Sequence, residues 1–142
     1  MQRYLSKISG PLLDRIDIHI EVTPVPFEKL SETRKAESSV EIRKRVTKAR
    51  DIQTKRFENY NHIHYNAQMS SKLIREYCDL DEVSLQLLKT AMERLNLSAR
   101  AYDRILKVSR TIADLENSEN VHSHHIAEAI QYRSLDREGW LG

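Results

Sequence analysis

The sequence contains very little glycine, proline or cysteine. Its 142 residues include three glycines, three prolines and a single cysteine, Cys78. So few turn-forming residues argue against many short β-strands and favour long helices. One cysteine excludes an intrachain disulfide framework and a zinc site built from several cysteines. Together with the lack of a signal-peptide pattern, this indicates a cytoplasmic protein.

Long apolar runs and a strong charge of one sign are also missing. No segment approaches the length that spans a membrane, so we expect no membrane partner. The formal net charge is only +2, which by itself does not imply a nucleic-acid partner. The length fits one domain, or one domain and a piece of another.

The sequence also lacks the phosphate-binding loop of ATPases. This loop has the form G-x-x-x-x-G-K-[ST], and Gly10, Gly139 and Gly142 are not arranged in that way. No acidic motif that would hold magnesium follows a strand. We therefore expect that this chain alone is not an ATPase.

What the sequence does contain is helical periodicity, strongest between Leu97 and Leu115. The apolar residues there recur at helical spacing and predict the central helix of a bundle. Ser98 is the predicted N-cap, with Leu97 and Tyr102 as a hydrophobic staple across it. The polar residues fall on the opposite side of the helix: Arg100, Asp103, Arg104, Lys107, Arg110, Thr111 and Asp114.

Arg100 lies in the first turn of this predicted helix, where the helix dipole makes a cation unfavourable. Free backbone N–H groups and one guanidinium at a helix start suit a phosphate. A solvated arginine without a binding role is the alternative that spacing leaves open.

Four further helical segments complete a predicted all-α bundle of four or five helices over residues 38–133. The first begins with a Ser38–Glu41 capping box and ends near Tyr60. The others run from Ser70 to Tyr77, onward from Asp81, and from a cap at Ser123. One face of the first helix is predicted to be buried: Ile42, Val46, Ala49, Gln53 and Phe57.

The first helix also carries seven basic residues, which do not form one continuous stripe. A solvated face is the simpler interpretation, because a nucleic-acid contact needs a continuous basic track. The candidates for DNA or interface contacts are Arg43, Lys44, Lys48 and Lys55.

One segment predicts a β-strand, because Ile16, Ile18, Ile20 and Val22 alternate with polar residues. A single strand cannot satisfy its own backbone, so the sequence is expected to begin inside something larger. We divide the chain into a short remnant of another domain (1–30), a charged linker (31–37), the helical domain (38–133) and a tail (134–142). The linker should let the strand swing free of the bundle.

Three histidines, His122, His124 and His125, cluster before the last helix. Adjacent helical residues point in different directions. We therefore favour capping or solvated roles and predict no metal site.

Two motifs carry a family resemblance. SARAY at residues 98–102 and SRTIADL at 109–115 resemble the C-terminal region of bacterial magnesium-chelatase-like AAA+ ATPases of the competence-associated ComM/YifB type. SGPLLDRID at 9–17 is similar to a segment near the end of the AAA+ core in that family. The resemblance implies that the strand closes the nucleotide-binding sheet and that the bundle is the lid domain.

The resemblance also implies residue roles. Arg100 matches a sensor-2 arginine, which reaches the terminal phosphates of ATP. Arg15 matches an arginine finger donated to the ATP of the neighbouring subunit, where it would stabilise the phosphoryl transition state. A structural ion-pair cluster of Asp14, Arg15 and Asp17 is the alternative.

For the whole protein, the resemblance implies ATP and Mg²⁺ as cofactors and a homo-oligomeric ring, expected to be hexameric. It implies action on branched or strand-invaded DNA, as in branch migration during natural transformation. The rival hypothesis is a stand-alone helical DNA-binding or protein-interaction module without a nucleotide role.

Overall fold

The computed structural model describes residues 12, 15–20, 22, 24–27 and 36–133. Within these residues the chain is an all-α bundle, as predicted. A short 3-10 turn, Asn66–Gln68, follows the first helix. The helices are α1 (Ser39–Arg56), α2 (Ser71–Tyr77), α3 (Glu82–Arg94), α4 (Ala99–Leu115) and α5 (Ser123–Gln131).

Short polar side chains begin most of the helices, in agreement with the sequence. Ser38 and Glu41 form the predicted capping box of α1. The side chains of Ser70, Asp81 and Ser98 each accept a hydrogen bond from the amide three residues later. These caps satisfy backbone donors that the first helical turn leaves free.

Helix α5 begins differently from the prediction. Its N-cap is His122, and Ser123 is the first helical residue. The backbone N–H of His122 donates to Nδ1 of His125 at 2.9 Å. A histidine ring therefore takes the place that the sequence assigned to a serine hydroxyl.

Helix α4 is the centre of the bundle and packs against α1, α2 and α5. Its apolar face is buried as predicted, with Ile105 fully inaccessible beside Leu88 of α3 and Ile126 of α5. Burying one such side chain contributes about 1.5–3 kcal/mol. None of the described helices is long and apolar enough to cross a membrane.

Helix α1 is buried along only part of its length, and this corrects the prediction. Its apolar face enters the core from Ala49 through Gln53 to Phe57, and the helix ends at Arg56 rather than near Tyr60. Ile42 and Val46 lie on the same face but stay 42% and 43% exposed. The first half of α1 thus extends past the rest of the bundle.

The predicted β-strand is not formed by the described residues between 15 and 27. A strand needs a partner for its backbone, and among the described residues the isolated β-bridge joins Leu80 to Val121, far from this segment. The segment instead lies on the bundle: the N–H of His19 donates to the carbonyl of Tyr132 at 2.7 Å, and the Arg133 guanidinium donates to the carbonyl of Ile16. The expectation that it swings free is therefore wrong for residues 16–19.

The orientation of this segment is also informative. His19 is buried, whereas Ile18 and Ile20 are 45% and 70% exposed. The segment therefore turns His19 inward, and Ile18 and Ile20 stay partly exposed at the edge of an apolar cavity lined by Val108 and Ile112 of α4. The domain boundary between residues 30 and 38 stays a prediction, because residues 28–35 lie outside the described part.

Candidate nucleotide-sensing site

Arg100 lies on the outside of the first turn of α4. Ser98 caps the helix by accepting from the N–H of Ala101 at 3.2 Å. Ala101 is fully buried, which fixes the turn against the core, while Arg100 is exposed. No described residue forms an ion pair or a hydrogen bond with the Arg100 side chain.

The other three cations of α4 are already engaged. Arg104 pairs with Asp17 at 2.6 Å. Lys107 Nζ donates to the carbonyl of Ala67 at 2.9 Å, and burial lowers the pKa of its ammonium. Arg110 is buried. Among the described residues, Arg100 is thus the α4 cation left available for an external anion.

Arg15 lies in a turn in which its N–H donates to the carbonyl of Leu12 at 3.0 Å. It is exposed, and none of the described residues pairs with its side chain. Asp17, two residues later, pairs with Arg104 rather than with Arg15. This ion pair holds the Arg15 segment on α4, one turn after Arg100; Asp14 lies outside the described residues.

The predicted contact residues on α1, Arg43, Lys44, Lys48 and Lys55, are all exposed. None of them forms an ion pair with another described residue. Arg50 is a further basic residue of α1, outside these four candidates, and its guanidinium carbon lies 4.9 Å from the centre of the Tyr65 ring. The structure brings this aromatic side chain, which follows α1 in the chain, onto the basic helix.

The buried charges of α4 contradict the helical-wheel prediction. Asp114 and Arg110 were placed on the polar side, but they are 1% and 3% exposed. Arg56 of α1 donates two hydrogen bonds, of 2.8 and 2.5 Å, to the two oxygens of the Asp114 carboxylate. Arg110 adds a contact of 3.2 Å through Nε. The two guanidiniums compensate the buried carboxylate, which makes its burial tolerable.

This Asp114 cluster (Arg56, Asn66, Arg110 and Asp114) extends into the loops. Asn66 Nδ2 donates to Asp114 at 2.8 Å and to Thr111 Oγ1 at 3.1 Å. Arg110 donates to the carbonyls of Ser118 and Glu119 at 2.6 and 2.8 Å, and burial lowers the pKa of its guanidinium. The 109–115 motif therefore contributes packing and loop anchoring to the fold.

The histidines converge on one carboxylate instead of diverging, which corrects the geometric argument made from the sequence. Nε2 of His124 and Nε2 of His125 each lie 3.0 Å from Oε2 of Glu116. Nδ1 of His125 accepts the N–H of His122, so the neutral His125 ring carries its proton on Nε2. That nitrogen donates to Glu116, while Nδ1 caps the backbone N–H of His122 at the start of α5.

The described residues form an all-α bundle whose central helix exposes Arg100 in its first turn. Residues 36–133 match the family model described as magnesium chelatase, subunit ChlI C-terminal. Residues 1–30 match a second model, magnesium chelatase, subunit ChlI.

Several full-length proteins show the same similarity. The chain is 43% identical to competence protein ComM of Haemophilus influenzae over 138 residues, which is 96% of the chain and 26% of that protein. It is 40% identical to YifB of Escherichia coli K12 over 95% of the chain and 26% of that protein. It is 33% identical to Rv2897c of Mycobacterium tuberculosis over 93% of the chain and 26% of that protein.

The chain belongs to the magnesium-chelatase-like family that includes ComM and YifB. It spans about a quarter of the length of these curated relatives.

Replacing Asp114 tests the structural role of the buried cluster. Asp114→Asn leaves two buried guanidiniums facing a neutral amide, and we expect the free energy of unfolding to fall by about 3–5 kcal/mol. Asp103→Asn on the same helix is the matched control and should change it little. Chemical denaturation followed by circular dichroism measures both, and an Asp114→Asn variant as stable as the wild type would contradict the assignment.

Acidification should destabilise the α4–α5 junction. Burial lowers the pKa of His125 below 6.5, so the unfolded chain binds more protons than the native one below about pH 6.5. Stability therefore falls as the pH falls through this range. Hydrogen bonds from His124 and His125 lower the pKa of Glu116, which acts in the same direction at lower pH.

Thermal melts at pH 7.5 and 5.5 measure this effect. His125→Gln keeps an acceptor and a donor but does not titrate, so the loss of Tm on acidification should be smaller than in the wild type. An equal loss in both proteins would show that His125 is not responsible.

Proposed function

We propose that this chain is the C-terminal lid portion of a magnesium-chelatase-like AAA+ ATPase and that Arg100 contacts the terminal phosphates of ATP bound in its own subunit. The observation that carries the proposal is the Arg100 guanidinium in the first turn of α4, which has no partner among the described residues, whereas the other three cations of the helix are engaged. A phosphate at this position would also meet the free N–H groups and the positive end of the helix dipole. The planar guanidinium matches two phosphate oxygens at once.

Arg15 is the proposed arginine finger for the ATP of the neighbouring subunit. Its exposure and its lack of a described partner support this role, because a finger must be free to reach another chain. The Asp17–Arg104 ion pair would hold its segment against the lid. In this proposal, subunits form a homo-oligomeric, hexameric ring, and the part of the whole protein that this chain does not span supplies most of the ATP and Mg²⁺ site.

DNA is the proposed substrate of the whole protein, in a branch-migration type of reaction. The support is the similarity to a relative whose name is competence protein ComM, over nearly the whole of this chain. ATP turnover would move the lid relative to the ATPase domain and so drive the ring along DNA.

Replacing Arg100 in the full-length protein tests the sensing role. Arg100→Ala should lower steady-state ATP turnover by about 100-fold, since one preorganised donor to a developing phosphate charge is typically worth this much. Its Tm should be unchanged or slightly higher, because the substitution removes a cation from a helix N-terminus. A coupled phosphate-release assay and a thermal melt give the two readouts.

The matched control is Arg94→Ala, which removes an exposed arginine from the last turn of α3. It should leave turnover unchanged. Wild-type turnover in the Arg100→Ala protein, at saturating ATP and with rings assembled, would overturn the sensing role.

A further inference from the structure

The outer surface of α1 carries an excess of cations that the fold does not use. The helix contains seven basic and two acidic residues. Glu37 pairs with Arg45 at 2.6 Å, and Asp114 pairs with Arg56. The remaining five are exposed and have no ion-pair partner among the described residues: Arg43, Lys44, Lys48, Arg50 and Lys55.

Two of these cations lie on the side of α1 that faces an aromatic side chain from the following loop. Arg43 and Arg50 are seven residues apart and therefore lie on one side of the helix. The Arg50 guanidinium stands over the Tyr65 ring, which stays 43% exposed. The exposed His64 ring meets Tyr65 edge-on, with ring centres 6.2 Å apart. We call these four residues, Arg43, Arg50, His64 and Tyr65, the Arg50–Tyr65 surface.

The backbone that carries the two rings is held firmly. Gln68 Oε1 accepts from the N–H groups of His64 and Tyr65 at 2.8 and 3.2 Å. The N–H of Asn66 donates to the buried Gln53 side chain at 3.2 Å, and Asn66 itself belongs to the Asp114 cluster. A ligand would therefore pay little conformational entropy to order this surface.

We propose that the Arg50–Tyr65 surface binds single-stranded nucleic acid. Guanidiniums with no ion-pair partner among the described residues suit the phosphates, and the 43% exposed Tyr65 ring beside them suits stacking with an unpaired base. A duplex hides its base faces, so Tyr65 would add nothing to duplex binding. This inference extends the proposed action on DNA, but it uses residues separate from Arg100 and Arg15.

Fluorescence anisotropy with a labelled oligo-dT strand tests the proposal on the 142-residue chain. Tyr65→Ala should weaken binding about 5- to 150-fold, the range expected for loss of one base–aromatic stack. Tyr65→Phe keeps the ring and should bind like the wild type. A role of Tyr65 confined to holding the loop would move the Tm of Tyr65→Ala but not its affinity.

Salt titrations test the two arginines separately. The logarithm of the binding constant falls as log [NaCl] rises. Arg43→Ala and Arg50→Ala should each make this slope shallower by about 0.7, the value for one phosphate contact to a single strand. Lys89→Ala, which removes an exposed cation from α3, is the matched control and should leave the slope unchanged.

Three results would overturn the proposal: no binding of oligo-dT at low salt, equal affinities of Tyr65→Ala and Tyr65→Phe, or slopes unchanged in both arginine variants. Duplex DNA bound as tightly as oligo-dT and independently of Tyr65 would also contradict it. If Tyr65→Ala is poorly folded, Tyr65→Leu keeps the apolar bulk without the ring and replaces it in the comparison. The Arg100 turnover assay does not involve this surface, so either proposal can fail alone.

Discussion

The fold depends on one buried carboxylate, Asp114, held between two arginines. An isolated charge at this depth would cost several kcal/mol, so the site requires both partners in place. Arg56 comes from α1 and Arg110 from α4 itself. Arg110 also anchors the carbonyls that follow α4, and Asn66 brings in the turn after α1. One interaction therefore fixes the positions of α1, α4 and the two connecting loops.

The Asp114 cluster holds one part of the molecule in place and leaves another part exposed to solvent. The second half of α1 is tied to α4 at Arg56, and its first half remains exposed around Ile42 and Val46. Helix α4 has 17 residues, so its two ends are about 25 Å apart. Its last turn carries the Asp114 cluster, and its first turn carries Arg100. In our proposal, a phosphate bound at Arg100 would move α4 as a rigid rod and carry α1 and α5 with it.

Local rules predicted the helices and most of their caps. The Ser38–Glu41 box and the Ser98 cap depend on residues within one turn of each other, so sequence spacing was sufficient. The position of Arg100 in the first turn of α4 followed from the same cap. Its proposed role came from the family resemblance, because spacing alone left a solvated arginine equally open.

Contacts between residues far apart in the sequence explain why some predictions from the sequence were wrong. A helical wheel assigns every charge to solvent, and it could not place Asp114 inside, since its partner Arg56 lies 58 residues away. His124 and His125 meet because Glu116, at the end of the preceding helix, reaches both rings. His19 is turned inward by contacts that begin with Tyr132, more than a hundred residues later. Each case needs the packed tertiary structure, which periodicity does not contain.

We propose that one chain serves two ATP sites, its own through Arg100 and a neighbour's through Arg15. The most direct measurement is the ATPase activity of rings assembled from mixed full-length subunits. Mixing Arg15→Ala subunits with subunits whose phosphate-binding loop is inactivated should recover activity, because some interfaces join an intact loop to an intact Arg15. Mixing Arg100→Ala subunits with the same partners should recover none, because both defects affect the subunit's own site. Assembled rings in which the Arg15→Ala mixture stays as inactive as the Arg100→Ala mixture would contradict the account.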